Sequence, residues 1–223
     1  MRIAVLASGE GTTLQCIIDA VHSHTLNAEI ALVISNNKIS GALGRARASG
    51  LPAVHLSGIT HPDFAELDRA ICSALVASRS DVVVLAGYMK KIGPLTLDRF
   101  SGAILNTHPS LLPRHGGRGM YGRRVYEAVI ASGDLETGVS VHLADTGYDT
   151  GRVIAQTRLP VERNDTVQTL EVRVRSLERQ FLCETLQRIA SDDLVLGSNY
   201  SSSGRAKARP LNITLGDRRE VSS

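Results

Sequence analysis

Tryptophan is absent from the 223 residues, and Phe, Tyr and Trp together make up only 4% of them. A core with so few rings has to be built from Val, Ile, Leu and Ala. Cysteine is scarce too. Cys16, Cys72 and Cys183 are far apart and odd in number. They match no metal-ligand spacing and no disulfide framework, so a reducing cytoplasm is the expected setting. No apolar run approaches the ~18 residues that a membrane-crossing helix needs. The opening MRIAVLASGEG has one charge and a very short apolar stretch, then turns polar and glycine-rich. It reads as a first strand, not a signal peptide. The chain also lacks a basic surface. Its net charge of +3 matches the surplus of residues 201–223, where Arg205, Lys207, Arg209, Arg218 and Arg219 outnumber Asp217 and Glu220. A balanced body with few aromatics argues against nucleic-acid binding, and the basic end reads as a solvated, poorly ordered tail.

Strand and helix patterns alternate along the rest. RIAVLAS (2–8), EIALVISN (29–36), PAVHL (52–56), DVVVLAGY (81–88) and GAILNTH (102–108) read as strands, with 81–88 central. Helical spacing marks 13–22, 41–49, 64–78, 123–132 and 166–189. TGVSVHLA (137–144) and RVIAQTRLPV (152–161) alternate in period two, as antiparallel strands do. The fold class that follows is α/β: a doubly wound, mostly parallel sheet with antiparallel edge strands near the C-terminal end. Ligands of such sheets sit beyond the carboxyl ends of the strands. That directs attention to 8–13, 86–92, 106–122 and 145–151.

SGEGTTLQ (8–15) joins the first strand to the first helix. Glycines there admit an anion to the helix N-terminus, and Thr12 and Thr13 add hydroxyls. The stretch lacks the third glycine of a dinucleotide fingerprint and the Lys of a P-loop, so a phosphate monoester suits it better than a pyrophosphate. A tight turn with Thr12 or Thr13 capping the helix fits it equally well. In ILNTHPSLLP (104–113), Asn106 and His108 share one side of an extended segment. An amide and an imidazole so placed suit a carbonyl becoming an oxyanion, while a histidine tucked under a loop is the alternative. Pro109 keeps His108 out of a helical conformation. DTGYDTG (145–151) brings Asp145 and Asp149 to the same end of the sheet. An Asp facing His108 would raise its pKa and could hold a water that relays a proton.

Taken together, IAVLASGEGTTLQ, VVVLAGYMKKI, ILNTHPSLLP and SVHLAD with YDTG, in this order, resemble the folate-dependent formyltransferases over residues 1 to about 190. The likeness is strongest to the branch whose acceptor is the amine of glycinamide ribonucleotide. It implies a Rossmann-like formyltransferase fold and a catalytic set of Asn106, His108 and Asp149. The implied formyl donor is 10-formyltetrahydrofolate, and no metal takes part. Gly11, Thr12 and Thr13 would hold the substrate phosphate and Glu178 the ribose hydroxyls, although Glu178 also reads as a plain solvent-facing helix charge. Tyr88, Met89, Lys90 and Ile92 would lie between the two ligands. Leu85, Leu97 and Ile104 would line a pterin slot, with the backbone of 143–147, including Leu143, Ala144 and Asp145, along its edge. His142 matches a family histidine near the site or serves as packed support.

Two stretches depart from many relatives. Lys90-Lys91 replaces an Arg followed by an apolar residue, and GGRGMYGRRVYEAV belongs to another branch's pattern and reads as a mobile lid. Arg114, Arg118, Arg123 and Arg124 around it are candidates for phosphate or folate-glutamate contacts. The expected organisation is one formyltransferase domain over 1–197 and a polar basic tail over 198–223, acting as a monomer or homodimer on small molecules. Competing readings are a formyltetrahydrofolate hydrolase, a formyltransferase for methionyl-tRNA or a sugar nucleotide, and a non-catalytic nucleotide-binding module. The first is disfavoured by a chain starting directly at strand one, the second by a tail too short for a further domain.

Overall fold

Successive residues of the first strand point into two different apolar layers. The structure, a computed structural model, describes residues 1–196 and 211–212. In β1 (Arg2–Ala7), Ile3, Val5 and Ala7 enter one layer and Ala4 and Leu6 the other. A strand covered on both faces has no reason to alternate polar and apolar residues, hence its continuous apolar run. β2 (Glu29–Ser35), β3 (Ala53–His55), β4 (Val82–Leu85) and β5 (Ile104–His108) join it in parallel. β6 (Glu136–Leu143) and β7 (Val153–Pro160) follow antiparallel, and a two-residue β8 (Leu211–Asn212) pairs parallel with β7. The sheet order is β3-β2-β1-β4-β5-β6-β7-β8 among the described residues. Apart from β8, the tail expected over 198–223 lies outside them.

Helices α1 (Thr12–His22), α2 (Gly41–Ala48), α5 (Arg123–Ala131) and α6 (Val167–Ala190) pack on one face through Leu14, Ala46, Val129 and Phe181. α3 (Phe64–Ala77) covers the other with Ile71 and Leu75, assisted by Phe100. β6 departs from the alternating pattern expected of it, since Gly138 through His142 are all buried. One face meets α6. The segment after β5 crosses the other, where Ser140 Oγ donates to Ser110 O and accepts from Leu112 N. Gln156 adds a hydrogen bond to Leu112 O.

A short helix, α4 (Pro94–Arg99), forms where the sequence pattern marks no element. Six residues are too few to show a helical period. Its N-terminus is capped from a distance by Asp68 on α3, only 3% exposed. Asp68 accepts from Leu95 N (2.8 Å), Thr96 N (3.1 Å) and Thr96 Oγ1 (2.5 Å). Pro94 at the first position lacks the N–H that would otherwise go unpaired. Replacing Asp68 by Ala orphans these buried donors. It should destabilise the fold by about 2–3 kcal/mol, measured by urea unfolding; a loss within error of zero would remove the cap from the account.

Candidate active site

Chain order sends β2 and β3 to one side of β1 and β4 onward to the other. The crevice at such a reversal is where open α/β sheets bind ligands. Here it opens into a cavity of about 650 Å³ lined from the loops after β1, β4, β5 and β6, the 117–122 loop and α6.

At one end lies the start of α1. Gly11 is the N-cap, with φ 73° and no side-chain hydrogen bond. A Cβ there would meet Ala42 Cα at 2.6 Å, so both the left-handed backbone and the contact with α2 require glycine. Neither Thr12 nor Thr13 caps the helix. Gly11, Thr12 and Thr13 line the cavity, so the helix start with its free N–H groups is placed to suit an anion. Arg175 and Arg179 of α6 also line the wall. The sequence pattern does not mark these two and points instead to Arg114, Arg118, Arg123 and Arg124, none of which is on the wall. Arg114 pairs with Asp134, Arg123 with Glu127, and Arg124 sits over the Tyr121 ring. Glu178 is no solvent-facing charge. It lines the cavity and accepts from Thr107 Oγ1 at 2.5 Å, and burial pushes its carboxyl pKa upward.

At the other end, register decides which side chains meet. Asn106 pairs with His142, and His108 with Ser140, across the β5–β6 ladder. Directly paired residues project to the same face, and Asn106 Nδ2 lies 3.0 Å from His142 Nε2. His142 Nδ1 faces Leu143 O at 3.0 Å. A carbonyl only accepts, so Nδ1 carries a proton, and Nε2 is the nitrogen placed between the Asn106 amide and Asp149. One Asn106 N–H and its carbonyl oxygen stay available to the cavity. The 145–151 loop brings Asp149 between the two imidazoles, with Oδ2 3.4 Å from His108 Nδ1 and Oδ1 3.6 Å from His142 Nε2. Gly117 N donates to Asp149 Oδ2 at 3.0 Å, tying the glycine-rich loop to the cluster. Asp145 shapes the turn, accepting from Gly147 N and Thr150 Oγ1.

Asp149 favours the charged form of His108, as the sequence leads one to expect, but the net shift runs the other way. Burial lowers the pKa of His108, against the opposing effects of Asp149 and of the His115 carbonyl, which Nε2 meets at 2.8 Å. Burial raises Asp149, but the neighbouring His142, His108 and the Gly117 N–H together hold its carboxyl below the usual range. An ionised carboxylate thus faces an imidazole that favours its neutral form.

Of the residues expected on the folate side, Leu85, Tyr88, Met89, Lys90, Ile92, Ala144 and Asp145 line the cavity. Leu97, Ile104 and Leu143 do not. Leu97 and Ile104 pack behind the wall with Phe100 and Ile71, and Leu143 packs toward the opposite layer. On β5, Ile104 shares the face of Asn106 but lies one pleat deeper, beneath the helices. Tyr88 adds a buried hydroxyl with no hydrogen-bond partner.

A doubly wound sheet with an anion-accepting helix start and an amide–imidazole–carboxylate cluster across one cleft defines an α/β enzyme equipped for acyl transfer. The chain belongs to the formyl transferase family, whose model matches residues 1–186. It is 41% identical to the phosphoribosylglycinamide formyltransferase of Haemophilus influenzae over 80% of this chain and 82% of that one. It superposes on the glycinamide ribonucleotide transformylase 1 of Symbiobacterium toebii with a TM-score of 0.80 at 34% identity, covering 89% and 91% of the two chains. The phosphoribosylglycinamide formyltransferase of Coxiella burnetii gives 0.81 at 34%, covering 90% and 91%.

Asp149 supports the charged form of His108, so removing its charge must lower the His108 pKa further. In Asp149→Asn the His108 ring signals should titrate at a lower pH than in the parent, followed by NMR. A shift to higher pH would mean that the two groups are not coupled as the distances indicate.

Proposed function

We propose that this chain transfers the formyl group of 10-formyltetrahydrofolate to the primary amine of glycinamide ribonucleotide, a step of de novo purine biosynthesis. The carrying observation is the closed cluster Asn106–His142–Asp149–His108 at one end of a cavity whose other end is the uncapped start of α1. The relatives' names supply the substrate class. Residues 1–197 act as one formyltransferase domain on small molecules in the cytoplasm.

The substrate phosphate sits on the N–H groups and hydroxyls of 11–13, with Arg175 and Arg179 adding charge. Glu178 accepts from the ribose hydroxyls. The glycinamide amine then reaches the far end, where Leu85, Tyr88, Met89, Lys90, Ile92 and Ala144 hold the folate beside Asn106. The amine attacks the formyl carbon, and a tetrahedral intermediate carries negative charge on oxygen and positive charge on nitrogen. The free Asn106 N–H donates to the oxygen, as preorganised donors do in a water-poor site, and His108, when it takes a second proton on Nδ1, adds positive charge beside it. Asp149, ionised, takes up the ammonium proton directly or through a water, and the proton passes to the departing folate nitrogen. His142 holds the Asn106 amide and lies beside Asp149. No covalent enzyme intermediate is required.

The hydrolase reading shares the cluster but leaves the 11–13 loop and Glu178 without a task. A non-catalytic module leaves the buried cluster without one.

Release of tetrahydrofolate should depend on glycinamide ribonucleotide. His108→Ala should cut kcat by roughly 10²–10⁴, the range of one acid–base group, with folate affinity nearly unchanged. Thr12→Ala with Thr13→Ala should mainly raise the KM for the ribonucleotide. Release of equal rate without the amine would convert the reading to a hydrolase.

A further inference from the structure

Two cysteines separated by 167 positions meet at the seam of α1 and α6. Cys16 Sγ and Cys183 Sγ are 3.4 Å apart, one thiol donating to the other. Cys16 Sγ also lies 3.6 Å from Arg179 O. Both thiols are reduced and partly exposed, whereas Cys72 is buried on α3, across the sheet. Neither paired thiol has a place in the transfer chemistry. They lie outside the cavity, one helical turn behind residues of two of its walls. Cys16 follows Thr12 by one helical turn and Cys183 follows Arg179 by one turn, so each lies on the same helix stripe as a cavity residue.

The pair is polarised. The hydrogen bond from Cys183 brings the Cys16 thiol down to about 7, against burial, with Arg179 also favouring the thiolate and Asp19 opposing it. Cys183 is pushed up by the same hydrogen bond and by burial. One sulfur is therefore an available nucleophile at neutral pH, and the other a resolving thiol within contact distance.

We propose that Cys16 and Cys183 are a redox-sensitive modification site, which a peroxide converts to an intramolecular disulfide that loosens the grip on the ribonucleotide. The Cys16 thiolate attacks the peroxide. An S–O bond forms, the O–O bond breaks and hydroxide leaves, giving a sulfenic acid. Cys183 sulfur then attacks Cys16 sulfur. The S–S bond forms, the S–O bond breaks, and water departs with the Cys183 proton. Two thiols lose two electrons in all, and hydrogen peroxide becomes two waters. The sulfurs must close to about 2.05 Å, which draws α1 and α6 together one turn behind Thr12 and Arg179. The pair's chemistry stands on its own geometry; the effect on substrate rests on the reading of the 11–13 loop and Glu178 given above.

The test uses the full chain treated with hydrogen peroxide, alkylated with iodoacetamide and digested without reduction. Mass spectrometry should find a Cys16–Cys183 linked peptide and an alkylated Cys72. The KM for glycinamide ribonucleotide should rise several-fold with the folate KM unchanged, and dithiothreitol should restore it. Cys183→Ser should give neither the link nor the reversible KM change. Three alkylated cysteines after treatment would overturn the proposal. So would a link without kinetic effect, or a kinetic loss that persists in Cys183→Ser. Untreated protein with no ribonucleotide-dependent turnover would refute the transferase reading, and the peptide map would still judge the thiol pair.

Discussion

His108 is held between two acceptors, the carbonyl oxygen of His115 at 2.8 Å and a carboxylate oxygen of Asp149 at 3.4 Å. The carbonyl fixes a proton on Nε2, so Nδ1 is the nitrogen that faces the carboxylate. That orientation depends on the path of residues 109–115. After β5 the chain crosses β6 and β7, pinned by Ser140 and Gln156, and returns with His115 beneath the imidazole. His115 is itself anchored, since its Nε2 meets Asp134 Oδ2 at 2.7 Å. The leucines and the second proline of ILNTHPSLLP thus cover the β6 face and deliver the carbonyl that orients the histidine.

The two ends of the cavity use opposite faces of one strand. Asn106 and His108 point toward the α3 side, while Thr107 between them points to α6 and holds Glu178. On the proposed reading, period-two alternation on five residues distributes the transfer chemistry and the sugar contact to opposite sides of the same strand end. A substrate spanning both must wrap over the end of β5, which explains why the cavity lies at the crevice and not on a sheet face. Arg175, Arg179 and Glu178 of α6 line the cavity with the start of α1, while Lys90, Lys91, Asp145 and Asp149 line it from the loops after β4 and β6.

Much of this was legible in the residues. β1 and β4 announce themselves because burial on both faces demands continuous apolar runs, and α1 and α3 because one stripe must be apolar. The Asn106–His108 pairing follows from the strand period alone. Other features depend on distant partners that local patterns do not encode. Asp68 caps α4 from 27 residues away. Arg175 and Arg179 reach the cavity because α6 docks there, while Arg114, Arg123 and Arg124, nearer the glycine-rich loop, are drawn off by Asp134, Glu127 and Tyr121. The sign of the His108 shift needed the depth of burial, which spacing does not report. The Cys16–Cys183 contact was invisible for the same reason: it is a product of helix packing.

Two of the five non-glycine residues with positive φ among the described residues flank the cluster around His108. His115 and Asp149 are non-glycine residues with φ of 53° and 56°, a conformation that costs about 1–2 kcal/mol. They are the two residues that supply the acceptors on either side of His108. Each is held by a specific contact, His115 by Asp134 and Asp149 by Gly117 N. A relaxed backbone at either position would redirect its acceptor, freeing the imidazole to rotate and losing the opposition of carboxylate and ring. The strain is thus what aims two groups at one side chain, and the contacts that offset it come from the 116–119 loop and from the residues following α5. The glycine-rich loop belongs to the reacting cluster through a main-chain N–H, whatever sequence it carries, which is why its departure from other branches of the family leaves the Asn106–His108–Asp149 arrangement intact.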